Sequence, residues 1–172
     1  MRTCDARENE RGREAMFDQK QPAEEPVVVR RFRPSDLQHI MPIENAAFPV
    51  DAFPESEFRR LSTAHPDHFL VAEIAGAVVG YVAGSVTGDC GELASVAVDQ
   101  RYRGRGIGTV LIGRLLDRFQ HIGLRRCVLQ VRTTNLPAID LYKRLRFHIV
   151  RSLVAYYPDG SDALLMEKTL SG

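Results

Sequence analysis

From Val27 onward the chain switches repeatedly between two spacings of apolar residues, and the switches lay out its elements. Val27, Val28, Val29 and Phe32 form a dense run that ends at Arg33-Pro34 and predicts a first strand. Leu37, Ile40 and Ile43 then recur at helical steps behind Asp36, a residue type that caps helices. A second helical stretch follows the turn around Pro49, with Phe58 and Leu61 on one side. His68 to Glu73 reads as strand, Ala75-Gly76 as a hairpin turn, and Val78 to Val86 as a long second arm. Past a turn over Gly88 to Gly91, the run Leu93 to Val98 predicts another strand. A long amphipathic helix comes next, with Leu111, Leu115, Phe119 and Ile122 on its apolar side, Arg114, Asp117 and His121 opposite, and Gly123 to stop it. Cys127 to Val131 is again strand-like. Thr134 or Asn135 can cap a short helix that carries Pro137 in its first turn and Ile139, Tyr142 and Leu145 along one side. Two last strands, Phe147 to Leu153 and Ala163 to Leu170, flank the turn Pro158-Asp159-Gly160.

Residues 1–26 lack this periodicity, are rich in charge and close on Pro22 and Pro26, so they read as a mobile tail before one domain over 27–172. An apolar content of 44% in 172 residues is ample for one buried core. The 23 basic and 22 acidic residues nearly cancel, which removes any global field for nucleic acid or membrane. Three cysteines, Cys4, Cys90 and Cys127, have no metal-ligand spacing, and no signal peptide or long apolar run is present; the expectation is a cytoplasmic protein. His39, His65, His68, His121 and His148 form no zinc motif, so no metal is expected, and His65 and His68 read as loop surface. Cys90 and Cys127 read as small packing residues.

The chemistry concentrates where the fourth strand runs into the long helix. Arg103-Gly104-Arg105-Gly106-Ile107-Gly108 and Thr109 lie at a helix start, where main-chain N–H groups lack intrahelical acceptors and the helix end is positive. Glycine lets phosphate oxygens approach the main chain, and Arg101, Arg103 and Arg105 supply mobile positive charge, so this turn suits a pyrophosphate, unless its glycines serve only the positive φ of a loop. A dinucleotide-binding fold would place such a turn after its first strand, and a P-loop would close on Gly-Lys-Ser or Gly-Lys-Thr; neither holds here.

Ser95-Val96-Ala97-Val98, Arg103 to Gly108, Gln130 to Asn135, Ala138-Ile139, Leu141-Tyr142 and Phe147 together resemble the GNAT acetyltransferases. Tyr156-Tyr157-Pro158-Asp159-Gly160, followed by Asp162 to Met166, resembles their protein N-terminal branch, which includes the ribosomal-protein alanine and Ard1-type enzymes. The resemblance covers about Val27 to Leu170 and implies an α/β fold: a mixed, mostly antiparallel sheet of about seven strands flanked by about four helices. The sheet would splay between the strands at 93–98 and 127–131 to admit acetyl-CoA. By position, the main chain of Val96, Ala97 and Val98 would hold the pantetheine arm, and Arg103 to Thr109 would wrap the pyrophosphate. Asn135 would bind the arm, unless it serves only as a helix cap. Tyr142 would protonate the leaving sulfur, unless it is only a core aromatic. Phe48 and Pro49, with Asp51, would face Tyr156 and Tyr157 across a peptide groove.

The resemblance implies protein or peptide N-termini as acceptors, with the ribosome or a ribosomal protein open as an associate, no direct nucleic acid, no membrane, and a monomer or small homo-oligomer. Gln130 stands where many relatives carry a glutamate base, which makes Glu92 the leading replacement, acting through water, and Asp51 the second. An α-amine loses its proton near pH 8 against about 10.4 for lysine, so a weak base suffices for an N-terminus. Arg146 replaces the glycine of the usual Leu-Gly-Phe turn. Acetylation of a small amine or a lysine side chain, and a silent acetyl-CoA-binding module, remain the alternatives.

Overall fold

The computed structural model describes residues 25–170, so the tail expected over 1–26 lies outside the described residues up to position 24. Seven strands form one sheet: β1 (Val28–Arg31), β2 (Phe69–Ile74), β3 (Ala77–Thr87), β4 (Cys90–Val98), β5 (Arg126–Arg132), β6 (His148–Leu153) and β7 (Ala163–Thr169). Their order is β1-β2-β3-β4-β5-β7-β6, and every neighbouring pair is antiparallel except β4 and β5. Helices α1 (Leu37–Ala47) and α2 (Glu55–Ala64) cover one face, and α3 (Ile107–His121) and α4 (Leu136–Arg144) belong to the core of the other. No described helix is long and apolar enough to cross a membrane.

Each face has its own core. Leu111, Ile112, Leu115 and Phe119 of α3 pack with Leu93, Leu129 and Met166, while Ile40, Phe58 and Leu61 of α1 and α2 pack with Phe69 and Tyr81. The strands serve both faces by alternation, and a bulge in β4 shifts which of its positions face which core. Gly84 pairs with Leu93 but Ala83 pairs with Ser95, so Ala94 is the extra residue and the side-chain alternation slips there. Leu93 consequently faces α3, whereas Ala94 and Ala97 join the α1–α2 core.

Four sequence expectations are corrected. The Gly88–Gly91 turn is shorter than its residue types suggest, because β4 begins at Cys90 and Gly91 pairs with Val86. A side chain at 91 would place its Cβ 2.6 Å from the Phe119 ring, so the glycine serves packing and not the turn. Ile122 does not join the apolar side of α3; it lies at the helix end, 52% exposed, and Leu124 turns into the core in its place. Asp36 stands immediately before α1, as expected, but its side chain makes no capping bond to that helix. It closes a short 3-10 turn that runs into α1, and its carboxylate accepts from the Arg33 amide (2.7 Å) and from Arg30 (2.7 and 2.8 Å). Lastly, His68 is buried and not on a loop surface: its ring lies 5.0 Å from that of Phe119, and burial lowers its pKa.

Candidate active site

The cleft exists because two parallel strands separate. β4 and β5 pair at Cys90/Arg126, Gly91/Cys127 and Glu92/Val128, and not beyond. Past that rung the bulge at Ala94 redirects β4, while β5 continues in register with β7 up to Arg132/Ala163. The Asp99 amide donates to Val79 O (2.8 Å), which makes 95, 97 and 99 the positions bonded to β3. By the same alternation, the main-chain groups of Val96 and Val98 point the other way, into the gap, while Ala97 keeps its main chain on β3 and its side chain in the core. The Val98 carbonyl accepts from Arg103 Nε at 3.0 Å.

The glycine-rich turn closes one end of the gap. Gly104 and Gly106 have φ of +76° and +77°, a conformation that costs any other residue about 1–2 kcal/mol. The first amide of α3 to find a carbonyl is that of Val110, to Gly106 O at 3.0 Å; those of Gly104 to Thr109 have no main-chain acceptor among the described residues. Added Cβ atoms at 104 and 106 would meet nothing within 4 Å, so the turn is open. Unpaired donors, open space and a positive helix end fit a pyrophosphate. The arginines are less mobile than their sequence suggests: Arg101 pairs with Asp99 (2.7 Å), and Arg105 lies over the Tyr102 ring at 5.3 Å.

Opposite the turn, α4 presents Tyr142. Asn135 starts the helix, its Oδ1 accepting from the Ala138 amide (3.3 Å), and Pro137 fills the first turn. At the other end Arg146 takes φ +66°, with the Arg146 amide donating to Lys143 O (2.9 Å) and the Phe147 amide to Tyr142 O (2.9 Å). That is a Schellman ending, in which Phe147 folds back against Tyr142, rings 5.8 Å apart. Arginine thus does here what glycine does more cheaply. Tyr142 is buried, and its hydroxyl has no hydrogen bond among the described residues. Burial first, then the nearby Tyr157, holds its pKa far above the usual phenol value, so it keeps its proton.

Two connections hold the residues expected to line a peptide groove. Phe48 caps α1, its amide donating to Glu44 O (2.8 Å), and packs on the α1–α2 core; Pro49 follows, exposed, in the turn that leads to Asp51. Tyr156 and Tyr157, in the β6–β7 connection, meet edge to face at 5.1 Å. Burial, and then the Glu92 charge, raise the Tyr156 pKa. Glu92 itself accepts from Ser85 Oγ at 3.1 Å, on the last rung before the strands part. Asp51 and Tyr157 are brought together through Arg132, which binds the one and lies over the other.

Two residues here escape sequence reasoning. Glu44, 1% exposed, accepts from the Phe53 amide (2.7 Å), from Ser95 Oγ (3.3 Å) and from the Tyr81 hydroxyl, and burial raises its pKa. Its one signal was a carboxylate four positions after Ile40, on the apolar side of α1. Arg132 binds Asp51, Asp159 and Ser161 and lies over Tyr157; nothing local in the sequence marks it.

Residues 37–147 match the Acetyltransferase (GNAT) family. An uncharacterized N-acetyltransferase of Methanocaldococcus jannaschii is 38% identical over 143 residues, covering 83% of this chain and 91% of its own. An N-alpha-acetyltransferase of Sulfurisphaera tokodaii is 34% identical over 155 residues, covering 83% and 92%. Among solved structures, Ard1 from Thermoplasma volcanium matches with a TM-score of 0.82 at 29% identity, over 85% of this chain and 99% of that one. The chain thus belongs to the GNAT family of acetyltransferases, enzymes that use acetyl-CoA.

Proposed function

We propose that this acetyltransferase modifies the α-amine of protein or peptide N-termini, by direct transfer from acetyl-CoA. The observation that carries the reading is the aromatic pair Tyr156 and Tyr157, joined through Arg132 to Asp51 in the connection that also bears Phe48 and Pro49. The resemblance to N-alpha-acetyltransferases, at 34% identity, and to Ard1 supports it.

The amides of Gly104 to Thr109, with Arg103 and Arg105, would hold the pyrophosphate; main-chain groups of Val96 and Val98 would hold the arm, with Asn135 nearby. Acetyl-CoA supplies an activated thioester carbonyl. Everything else falls to the chain. Glu92 receives the proton of the incoming ammonium through water, because Gln130, its neighbour across the gap, cannot accept one. Neutralising an α-amine at pH 7 costs about 1.4 kcal/mol against about 4.6 for lysine, which matches so modest a base. Tyr142, kept protonated by burial, donates to the departing sulfur. Neither cysteine suits an acyl carrier: burial lifts the Cys127 thiol to about 12 and also raises that of Cys90, so both are poorly populated as thiolates.

The test is an acetyl-CoA turnover assay over short peptides with free or blocked N-termini, free lysine and polyamines. Blocking the α-amine abolishes turnover even when a lysine is present; activity retained on blocked peptides overturns the reading. Glu92→Gln shifts the pH profile, and an unchanged profile removes Glu92 as the base.

A further inference from the structure

β5 alternates cleanly along its length. Cys127, Leu129 and Val131 are buried in the core, so Val128, Gln130 and Arg132 share the opposite face. Arg132, its last residue, spends its guanidinium on three partners from two connections that are remote in sequence. Nε and Nη2 bind the Asp51 carboxylate side by side (2.5 and 2.7 Å), a geometry that fixes both position and orientation. Nη1 reaches Asp159 Oδ2 (3.0 Å) and Ser161 Oγ (2.7 Å), and the guanidinium carbon lies 4.0 Å from the centre of the Tyr157 ring.

The two connections depend on this link unequally. The one between α1 and α2 has an inner anchor as well, the Phe53 amide on Glu44. The one between β6 and β7 is bonded mainly to itself, through Tyr157 to Ser161, Gly160 to Tyr157, Ala155 to Asp162 and Ser161 to Asp159. Among the described residues, its hydrogen bonds to the rest of the chain go to Arg132 and the adjacent Thr133.

We propose that Arg132 is a specificity-determining positioning residue: by tying Asp51 to Asp159 and Ser161 and holding Tyr157 face-on, it sets the spacing of the two walls that receive the acceptor. This rests on the peptide reading for what lies between the walls. Lysine cannot substitute. Its single ammonium lacks the plane that stacks on Tyr157 and the fork that grips Asp51 while reaching Asp159. Looser walls bind a good peptide less well and distinguish poor first residues less sharply, while the glycine-rich turn, which has no part in these contacts, keeps its affinity for acetyl-CoA.

The experiment compares the full chain with Arg132→Lys and Asp51→Asn by amide hydrogen exchange and by steady-state kinetics, with thermal unfolding to show that each variant is folded. In Arg132→Lys, exchange accelerates about tenfold in both connections and the peptide KM rises about tenfold, as expected for losing charge-assisted bonds. The acetyl-CoA KM stays within about twofold, because uniform acceptor binding alone is lost. Asp51→Asn loosens chiefly the α1–α2 connection, which gives a second route to the answer should the lysine variant fail to fold. Unchanged exchange in both variants, or an equal rise in the acetyl-CoA KM, overturns the inference. If the wild-type chain acetylates small amines but no peptide, the peptide reading falls while accelerated exchange still assigns the walls to Arg132. If peptides are acetylated and neither exchange nor KM responds, Arg132 is the part that falls.

Discussion

Replacing Glu44 tests how the connection between α1 and α2 is held from within. In Glu44→Ala three donors lose their acceptor: the Phe53 amide, the Ser95 hydroxyl and the Tyr81 hydroxyl. Tyr81 and Ser95 lie 2.9 Å apart and can serve each other once, which leaves two donors stranded in the core. At about 1–3 kcal/mol for each stranded group, the loss is about 2–6 kcal/mol, a large part of a total stability of about 5–15 kcal/mol. For a domain of this size that lowers Tm by about 10 °C. Glu44→Gln keeps an acceptor for Phe53 and carries no charge, so it stays within about 1 kcal/mol of wild type. The comparison has a sign in pH as well. Burial raises the Glu44 pKa above its ordinary 4.5, so the folded state holds this proton more tightly than the unfolded chain does. The associated stability is fully present below 4.5 and is lost as pH rises through the folded value, so wild type weakens relative to Glu44→Gln over that interval. Urea unfolding followed by circular dichroism at steps from pH 4.5 to 8 reads both effects. An alanine variant as stable as the glutamine one, or a wild-type-to-glutamine difference flat in pH, refutes the reasoning.

Arg146→Gly relieves the left-handed residue that ends α4; subtracting glycine's greater unfolded freedom from the strain leaves about 0.5–1 kcal/mol of added stability, read as a higher Tm. Gly91→Ala drives a methyl into the Phe119 ring and destabilises by about 1–3 kcal/mol, measurable by the same melts. Tyr142→Phe lowers kcat about 100-fold while the acetyl-CoA KM stays nearly constant, as expected for a lost general acid. Because burial holds the wild-type phenol above its ordinary value of 10, the wild-type rate shows no alkaline fall from this group below that pH.

Everything written in short-range spacing was legible. The helical steps of Leu37, Ile40 and Ile43, the strand alternation from Leu93 to Val98, the glycines before α3 and the caps around α4 each depend on neighbours within a few positions. The errors share a different cause. Whether Gly91 belongs to a turn or a strand is decided by the Phe119 ring that packs over it, and His68 is buried because that same ring offers it a surface. Ile122 keeps the helical period but meets the helix end before it can reach the core.

Spacing along the chain thus carried the elements, their order and the open glycine-rich turn, since hydrogen-bond geometry and φ preference act over a few residues. Only the folded sheet decided where β4 leaves β5, because β4 follows a bulged pairing with β3 while β5 stays in register with β7. It also decided that Glu44 would be a sealed acceptor and Arg132 a link between two connections. A charge is tolerable in such places only when its partners converge from distant segments, and no local pattern records that convergence.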